Sequence, residues 1–293
     1  MIHWPHLLLV LVVGTEGLVA RQEPQRTVFR SNASAVAVDV SVREASRRPV
    51  TGLTMRDFQV YDNGVVQQVD IVSYGKLPID VTIALDVSYS VTGTLLDRLR
   101  QCVVQLMRDL GPEDRLRLLL FNMRVTRITP FTRDVKLVEA LLRNTTAGGG
   151  TALLDAISVA LVSASSDDRR QLAVFFTDGS DSSSATSMDT LLAVAQRTRA
   201  TVTFVMPGAL SSSGPSQQAA LAKLAGETGG RLLPVGPSGD LSSAFRNVLS
   251  DFRSAYVLYY TPRNVTGDGY HTIEVKTTRQ GALVLARRGY FGS

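Results

Sequence analysis

Val81 to Ser90 reads VTIALDVSYS, and Leu172 to Asp181 reads LAVFFTDGSD; these two stretches decide the fold. Each is a short apolar run that stops at an aspartate and passes into a hydroxyl-rich turn. A run of strand length with no polar alternation predicts a strand buried on both faces. Helical spacing of apolar residues follows from about Gly93 to Leu110, and again over Val135 to Leu142, Ala152 to Ser163, Met188 to Arg199, Gln217 to Thr228 and Leu241 to Phe252. Further strand-like runs lie at Leu116 to Phe121, Val202 to Met206 and near Leu232. Buried strands alternating with amphipathic helices predict an α/β, Rossmann-like domain over residues 78–254, a mainly parallel sheet flanked by helices.

Outside those residues the pattern changes to strands alone. Ala35 to Val42 (AVAVDVSV) alternates strictly. Phe58 to Tyr61 and Val65 to Val72 flank Asp62-Asn63-Gly64, a tight-turn signal that makes them a hairpin. After the α/β region come Tyr256 to Tyr260, Tyr270 to Thr277 and Leu283 to Arg287. Three short strands on either side are too few for two independent sheets. We therefore expect residues 33–77 and 255–291 to pair as two halves of one six-strand, β-sandwich-like domain, into which the α/β domain is inserted.

The chain has 293 residues, 44% of them hydrophobic, which excludes a disordered polymer. Leu7 to Val13 is apolar but too short to span a bilayer, and Ala20 precedes Arg21. Residues 1–20 thus read as a secretory leader, followed by a polar linker over 21–32. The expected mature protein is exported (periplasmic, envelope-associated or secreted) and has no transmembrane anchor. The single cysteine, Cys102, excludes an intramolecular disulfide and sits at helical spacing among Leu99, Val103 and Leu106, as a small core residue would. The formal charge of +5 comes from scattered basic residues without interleaved aromatics, which speaks against a nucleic-acid partner. Asn32-Ala33-Ser34, Asn144-Thr145-Thr146 and Asn264-Val265-Thr266 fit the glycosylation pattern, but triplets this short arise often by chance and are read as unmodified.

Ligands of open α/β sheets bind at the carboxyl ends of the strands. Three segments of this chain reach that edge: Asp86-Val87-Ser88-Tyr89-Ser90, Gly148-Gly149-Gly150-Thr151, and Thr177-Asp178-Gly179-Ser180-Asp181. Together they offer carboxylates and hydroxyls, the oxygen donors that hard cations prefer. Each piece also has an ordinary reading. Ser90 and Thr151 suit helix caps, and Asp178-Gly179 suits a plain turn.

Asp-x-Ser-x-Ser, a distant threonine in a glycine-rich turn, and Asp-Gly after an apolar strand together resemble the von Willebrand factor A-type domain and its metal-ion-dependent adhesion site. The flanks, VDVSVREASRRPVTGLTMRDFQVYDNG before and YVLYYTPRN with GYHTIEVKTTRQGALVLARRGYF after, are similar to the VWFA-related acidobacterial family. The resemblance implies a metal site of Asp86, Ser88, Ser90, Thr151 and Asp178, with one or both aspartates acting through water. It also implies a partner-facing rim of Tyr89, Gly149, Gly150, Ser180 and Asp181. The implied ion is Mg²⁺, with Mn²⁺ or Ca²⁺ as alternatives, and the implied partner is a protein offering a carboxylate to that ion.

Enzyme chemistry has less to stand on. His3 and His6 fall in the leader, and His271 lies on a strand of the flanking domain. The glycine-rich run lacks a phosphate-binding lysine, since Ala152 follows Thr151. The expectation is a metal-dependent binding protein without catalytic activity. A structural or assembly module with a purely structural ion is the alternative, and a metal-dependent hydrolase using Asp86 as phosphoryl acceptor stands further back.

Overall fold

Inward-facing Val38, Val40 and Val42 alternate with outward residues, making β1 (Val36–Arg43) a strand with one buried face. The computed structural model describes residues 35–75, 77–164, 169–207, 214–236, 239–265 and 268–292. The expected leader (1–20), the linker (21–32) and the Asn32 triplet lie outside the described residues. A 3-10 turn at Met55–Asp57 leads into β2 (Phe58–Asp62). Asn63 and Gly64, both at positive φ, then reverse the chain into β3 (Val65–Gln67). This is the tight hairpin the sequence predicts.

The expected single strand over 65–72 is broken in two. The buried Gln67 donates from Nε2 to the Arg263 carbonyl at 3.0 Å and accepts from the Arg263 N–H at 2.8 Å. A side chain thus supplies the hydrogen bonds a neighbouring strand would make, and the chain leaves that sheet. It resumes as β4 (Ile71–Tyr74) in another.

The α/β region then runs β5 (Ile79–Asp86), α1 (Thr94–Asp109), β6 (Arg115–Phe121), β7 (Val125–Ile128), α2 (Val135–Arg143), α3 (Leu153–Val162), β8 (Arg170–Phe176), α4 (Met188–Arg197), β9 (Thr201–Pro207), α5 (Pro215–Glu227), β10 (Leu232–Val235) and α6 (Leu241–Arg253). Its sheet has the order β10-β9-β8-β5-β6-β7, parallel except for β7. Every residue of β5 and β8 is buried, which explains their unbroken apolar runs. Ile83, Leu85, Val174 and Phe176 pack with α1, α2 and α6 on one face. Ala84, Phe175 and Phe121 pack with α3, α4 and α5 on the other. The antiparallel β7 was not foreseen; as a mostly exposed edge strand it carries no apolar pattern.

Strands β11 (Tyr256–Tyr260), β12 (Gly269–Thr277), β13 (Leu283–Ala286) and β14 (Gly289–Gly292) complete the chain. They join the first strands in two four-stranded sheets, β13-β1-β11-β4 and β14-β12-β2-β3, which share one apolar core. The α/β region is inserted into this sandwich-like pair of sheets. The pair has eight strands rather than the expected six, because the 65–72 run divides and β14 is added.

One buried carboxylate ties the two sheets together. Asp62 on β2 accepts from the Tyr260 hydroxyl at 2.9 Å across the core, from the Tyr290 hydroxyl at 2.8 Å, and lies 2.7 Å from His271 Nδ1. Burial is the main cause pushing both tyrosine hydroxyls far above their usual pKa, so they stay protonated donors. The sandwich is also clamped to the α/β sheet. Arg170 on β8 pairs with Asp39 on β1 at 2.5 Å, while Arg43 on β1 pairs with Asp251 on α6. Among the described residues no helix is long and apolar enough to cross a membrane.

Three substitutions test this frame by urea denaturation. Asp62→Ala leaves buried donors without their acceptor and should cost roughly 3 kcal/mol. An unchanged midpoint would show that the carboxylate does not join the sheets. Gly230→Ala would place a Cβ 1.8 Å from the Val202 carbonyl oxygen, a backbone approach only glycine permits. It should cost about 2 kcal/mol or more, whereas Gly236→Ala, with open space around the same position, should be nearly neutral.

Candidate metal and partner site

Parallel pairing of β5 with β8 puts Leu85 opposite Phe176, so Asp86 and Asp178 emerge at the carboxyl ends of neighbouring strands. From β5 the chain moves outward through β6, then returns past β5 to β8 and continues the other way. The site therefore sits where the strand order reverses, the crevice in which open α/β sheets take ligands.

Asp86 is wholly buried. Its Oδ1 accepts from the Ser88 N–H at 2.9 Å and its Oδ2 from the Thr177 hydroxyl at 2.8 Å. Burial pushes the Asp86 carboxyl above its usual pKa, the bonds from Ser88 and Thr177 oppose that, and the charge of Asp178 raises it further. The Ser88 and Ser90 hydroxyls lie 3.1 Å apart beside it. Asp178 accepts from the Ser180 N–H at 2.9 Å, closing the turn after β8.

Thr151 comes to this edge through its loop. The Gly148 N–H donates to the Val87 carbonyl at 2.8 Å, and the Tyr89 N–H donates to the Gly149 carbonyl at 3.1 Å. On the other side the Ser182 and Ser183 N–H groups donate to the Thr151 carbonyl at 2.8 and 3.0 Å. The Thr151 N–H donates in return to the Ser182 hydroxyl at 3.0 Å. The three segments named from the sequence are thus one hydrogen-bonded patch. Ser90 and Thr151 do not serve as helix caps: the cap positions are Gly93 for α1 and Ala152 for α3.

Of the expected rim, Tyr89 stands in solvent and Gly149, Gly150 and Ser180 are half-buried. Asp181, also half-buried, holds a helix end as well. Its Oδ1 accepts from the N–H groups of Leu153 and Leu154 at 2.7 and 3.3 Å and from the Ser184 hydroxyl at 2.6 Å. It thereby satisfies the amino end of α3, which has no cap from its own preceding side chain. Sequence reasoning did not single out Thr177, Asn122 or Met123. Thr177 holds Asp86, Asn122 Nδ2 donates to the Gly148 carbonyl at 2.9 Å, and Met123 overhangs Gly149. Thr177 was open to detection, being the first hydroxyl after the β8 run; Asn122 and Met123 follow β6, whose end carries no motif.

The donor set is all oxygen, which fits a hard divalent cation. Among the described residues no group of three or more His, Cys, Asp or Glu is placed to share a metal ion. A cation here would draw on two carboxylates at most, with hydroxyls and water completing its shell.

Comparison with known proteins bears on the fold. Residues 80–244 match the von Willebrand factor type A domain. No curated protein matches the chain. Among solved structures, a von Willebrand factor type A protein from Catenulispora acidiphila is 12% identical with a TM-score of 0.53, covering 90% of this chain and 75% of its own. Proximal thread matrix protein 1 from the mussel byssus is 12% identical with a TM-score of 0.50, covering 73% of this chain and 50% of its own. The von Willebrand domain of the pilus tip protein Mfa5 from Porphyromonas gingivalis is 12% identical with a TM-score of 0.48, covering 59% of this chain and 94% of its own.

The role of Asp181 can be checked directly. Asp181→Ala should lower stability by about 1 kcal/mol through loss of the α3 cap. A thermal or urea midpoint equal to that of the unaltered protein would remove the capping role.

Proposed function

The chain belongs to the von Willebrand factor type A domain family, and we propose that it is an exported binding protein that recognises a carboxylate on a protein partner through a divalent cation. One observation carries this reading: two aspartates end neighbouring strands at the reversal of strand order, with serine hydroxyls beside the buried one. Two nearby carboxylates raise each other's free energy unless a cation shares them. In this reading Asp86, Ser88, Ser90, Thr151 and Asp178 hold Mg²⁺, or Mn²⁺ or Ca²⁺ in its place. When bound, the ion supplies a positive centre with an exchangeable position that a partner's carboxylate can take.

The protein's own groups do the positioning. Thr177 and the Ser88 amide fix both oxygens of Asp86, leaving the carboxylate little rotational freedom. Neutral hydroxyls rather than further carboxylates leave the ion its charge, which favours an anionic partner. Export rests on the leader pattern of residues 1–20. Binding without catalysis is part of the proposal: a serine-histidine relay needs an imidazole at this edge, whereas His271 sits in the sandwich against Asp62. The alternative, an ion that only stiffens the loops of an assembly module, predicts partner capture that survives chelator.

Calorimetric titration with MgCl₂ tests the reading. The unaltered protein should take up the ion saturably, and the double variant Asp86→Ala, Ser88→Ala should show no uptake. Asp178→Ala should weaken uptake by about tenfold or more, as loss of a charged oxygen donor does. Equal uptake by all three proteins would sink the proposal.

A further inference from the structure

Two large apolar side chains stand in solvent at the rim of this site. Tyr89, between Ser88 and Ser90, is 75% exposed, and Met123, in the turn after β6, is 59% exposed. Single exposed apolar residues are ordinary. These two border one floor. A Cβ on Gly148 would lie 3.7 Å from the Tyr89 ring, and one on Gly149 or Gly150 would lie 3.0 or 3.7 Å from Met123 Cγ. The ring and the thioether therefore flank the same glycine strip, whose Gly150 end also lies against the Ser182 and Ser183 hydroxyls. Its two end Cα atoms are at most about 7.6 Å apart, the reach of one ligand side chain and its neighbour.

The strip is held in place. Gly149, at φ +84°, presents its carbonyl to the Tyr89 N–H at 3.1 Å, and Asn122 Nδ2 holds the Gly148 carbonyl at 2.9 Å. The Asn122 N–H also donates to the Arg124 carbonyl at 3.0 Å, which closes the turn that carries Met123. Arg124, which follows Met123 directly in that turn, and Arg127 on the adjoining β7 are both exposed. An apolar strip beside basic side chains complements a ligand that is acidic and apolar at once.

We propose that Tyr89 and Met123 form an apolar clasp over the Gly148–Gly150 floor, and that the partner is a peptide segment carrying Asp or Glu directly beside a large apolar side chain. The proposal rests on the carboxylate-recognition reading above: the acid takes the cation and the apolar neighbour lies in the clasp. Burying one such side chain between Tyr89 and Met123 is enough to change affinity by about tenfold.

Selection of short random peptides displayed on phage, captured by the purified protein in MgCl₂ and released by chelator, tests this. Enrichment of Asp or Glu next to Phe, Tyr, Trp, Leu, Ile or Met is the expected result. Affinity for a selected peptide should then fall about tenfold in Met123→Ser and in Tyr89→Ser. Chelator-released peptides with an acid but no apolar neighbour would overturn the clasp and leave the cation-carboxylate reading standing. Selected peptides without any acid would overturn both. Unchanged affinity in both variants would overturn the clasp alone.

Discussion

Side-by-side pairing of β5 and β8 brings two aspartates to one edge of a sheet whose interior tolerates no unpaired charge. Both strands are buried along their whole length and are paired over seven residue positions, from Ile79 opposite Arg170 to Leu85 opposite Phe176. The register that places Leu85 opposite Phe176 therefore also determines where Asp86 and Asp178 end up. Asp86 is the costlier of the two to house. It is buried, and only hydroxyl and amide donors from Thr177 and Ser88 stand against that cost. Burial and the nearby Asp178 both raise the energy of its ionised form, and that is the cost the proposed cation would offset.

The rest of the molecule keeps that edge rigid from below and from the side. Arg117, buried on β6, donates to the Ala160 and Ser163 carbonyls and so holds the carboxyl end of α3, while Asp181 holds its amino end. At the opposite edge of the sheet, the Arg170–Asp39 and Arg43–Asp251 pairs join the α/β layer to the sandwich, with the Arg170 guanidinium lying 4.1 Å over the Phe252 ring. Partly buried pairs of this kind specify a geometry more than they add stability. The described residues accordingly form one compact unit rather than two loosely joined ones.

Within the sandwich, Asp62 is anchored by a different principle from Asp86, though both are buried acids. Asp62 receives two tyrosine hydroxyls and an imidazole, enough donors to occupy both its oxygens. Asp86 accepts from the Ser88 hydroxyl, the Ser88 N–H and the Thr177 hydroxyl, and has a neighbouring aspartate. The first arrangement surrounds one acid with two tyrosines and an imidazole; the second sets two acids near each other at a strand edge. The neighbouring carboxylate, rather than donor count or burial, is what sets the strand-end acid apart from the staple.

Much of this was written in local sequence. The apolar runs at Val81–Leu85 and Leu172–Phe176, the helical spacing around Cys102 and the Asn63-Gly64 turn each determine their own element, because period and turn chemistry act over a few residues. The types of side chain at the strand ends were equally plain. Tertiary structure alone decided what depends on distant partners: Gln67 mimicking a strand partner for Arg263, β7 and β14 taking up edge positions without an apolar signature, and Asp181 capping α3 from another loop. It also decided that Met123, unremarked after β6, hangs over Gly149. Hydrogen bonds and contacts between residues far apart in the chain leave no periodic trace, so only the folded chain could choose them.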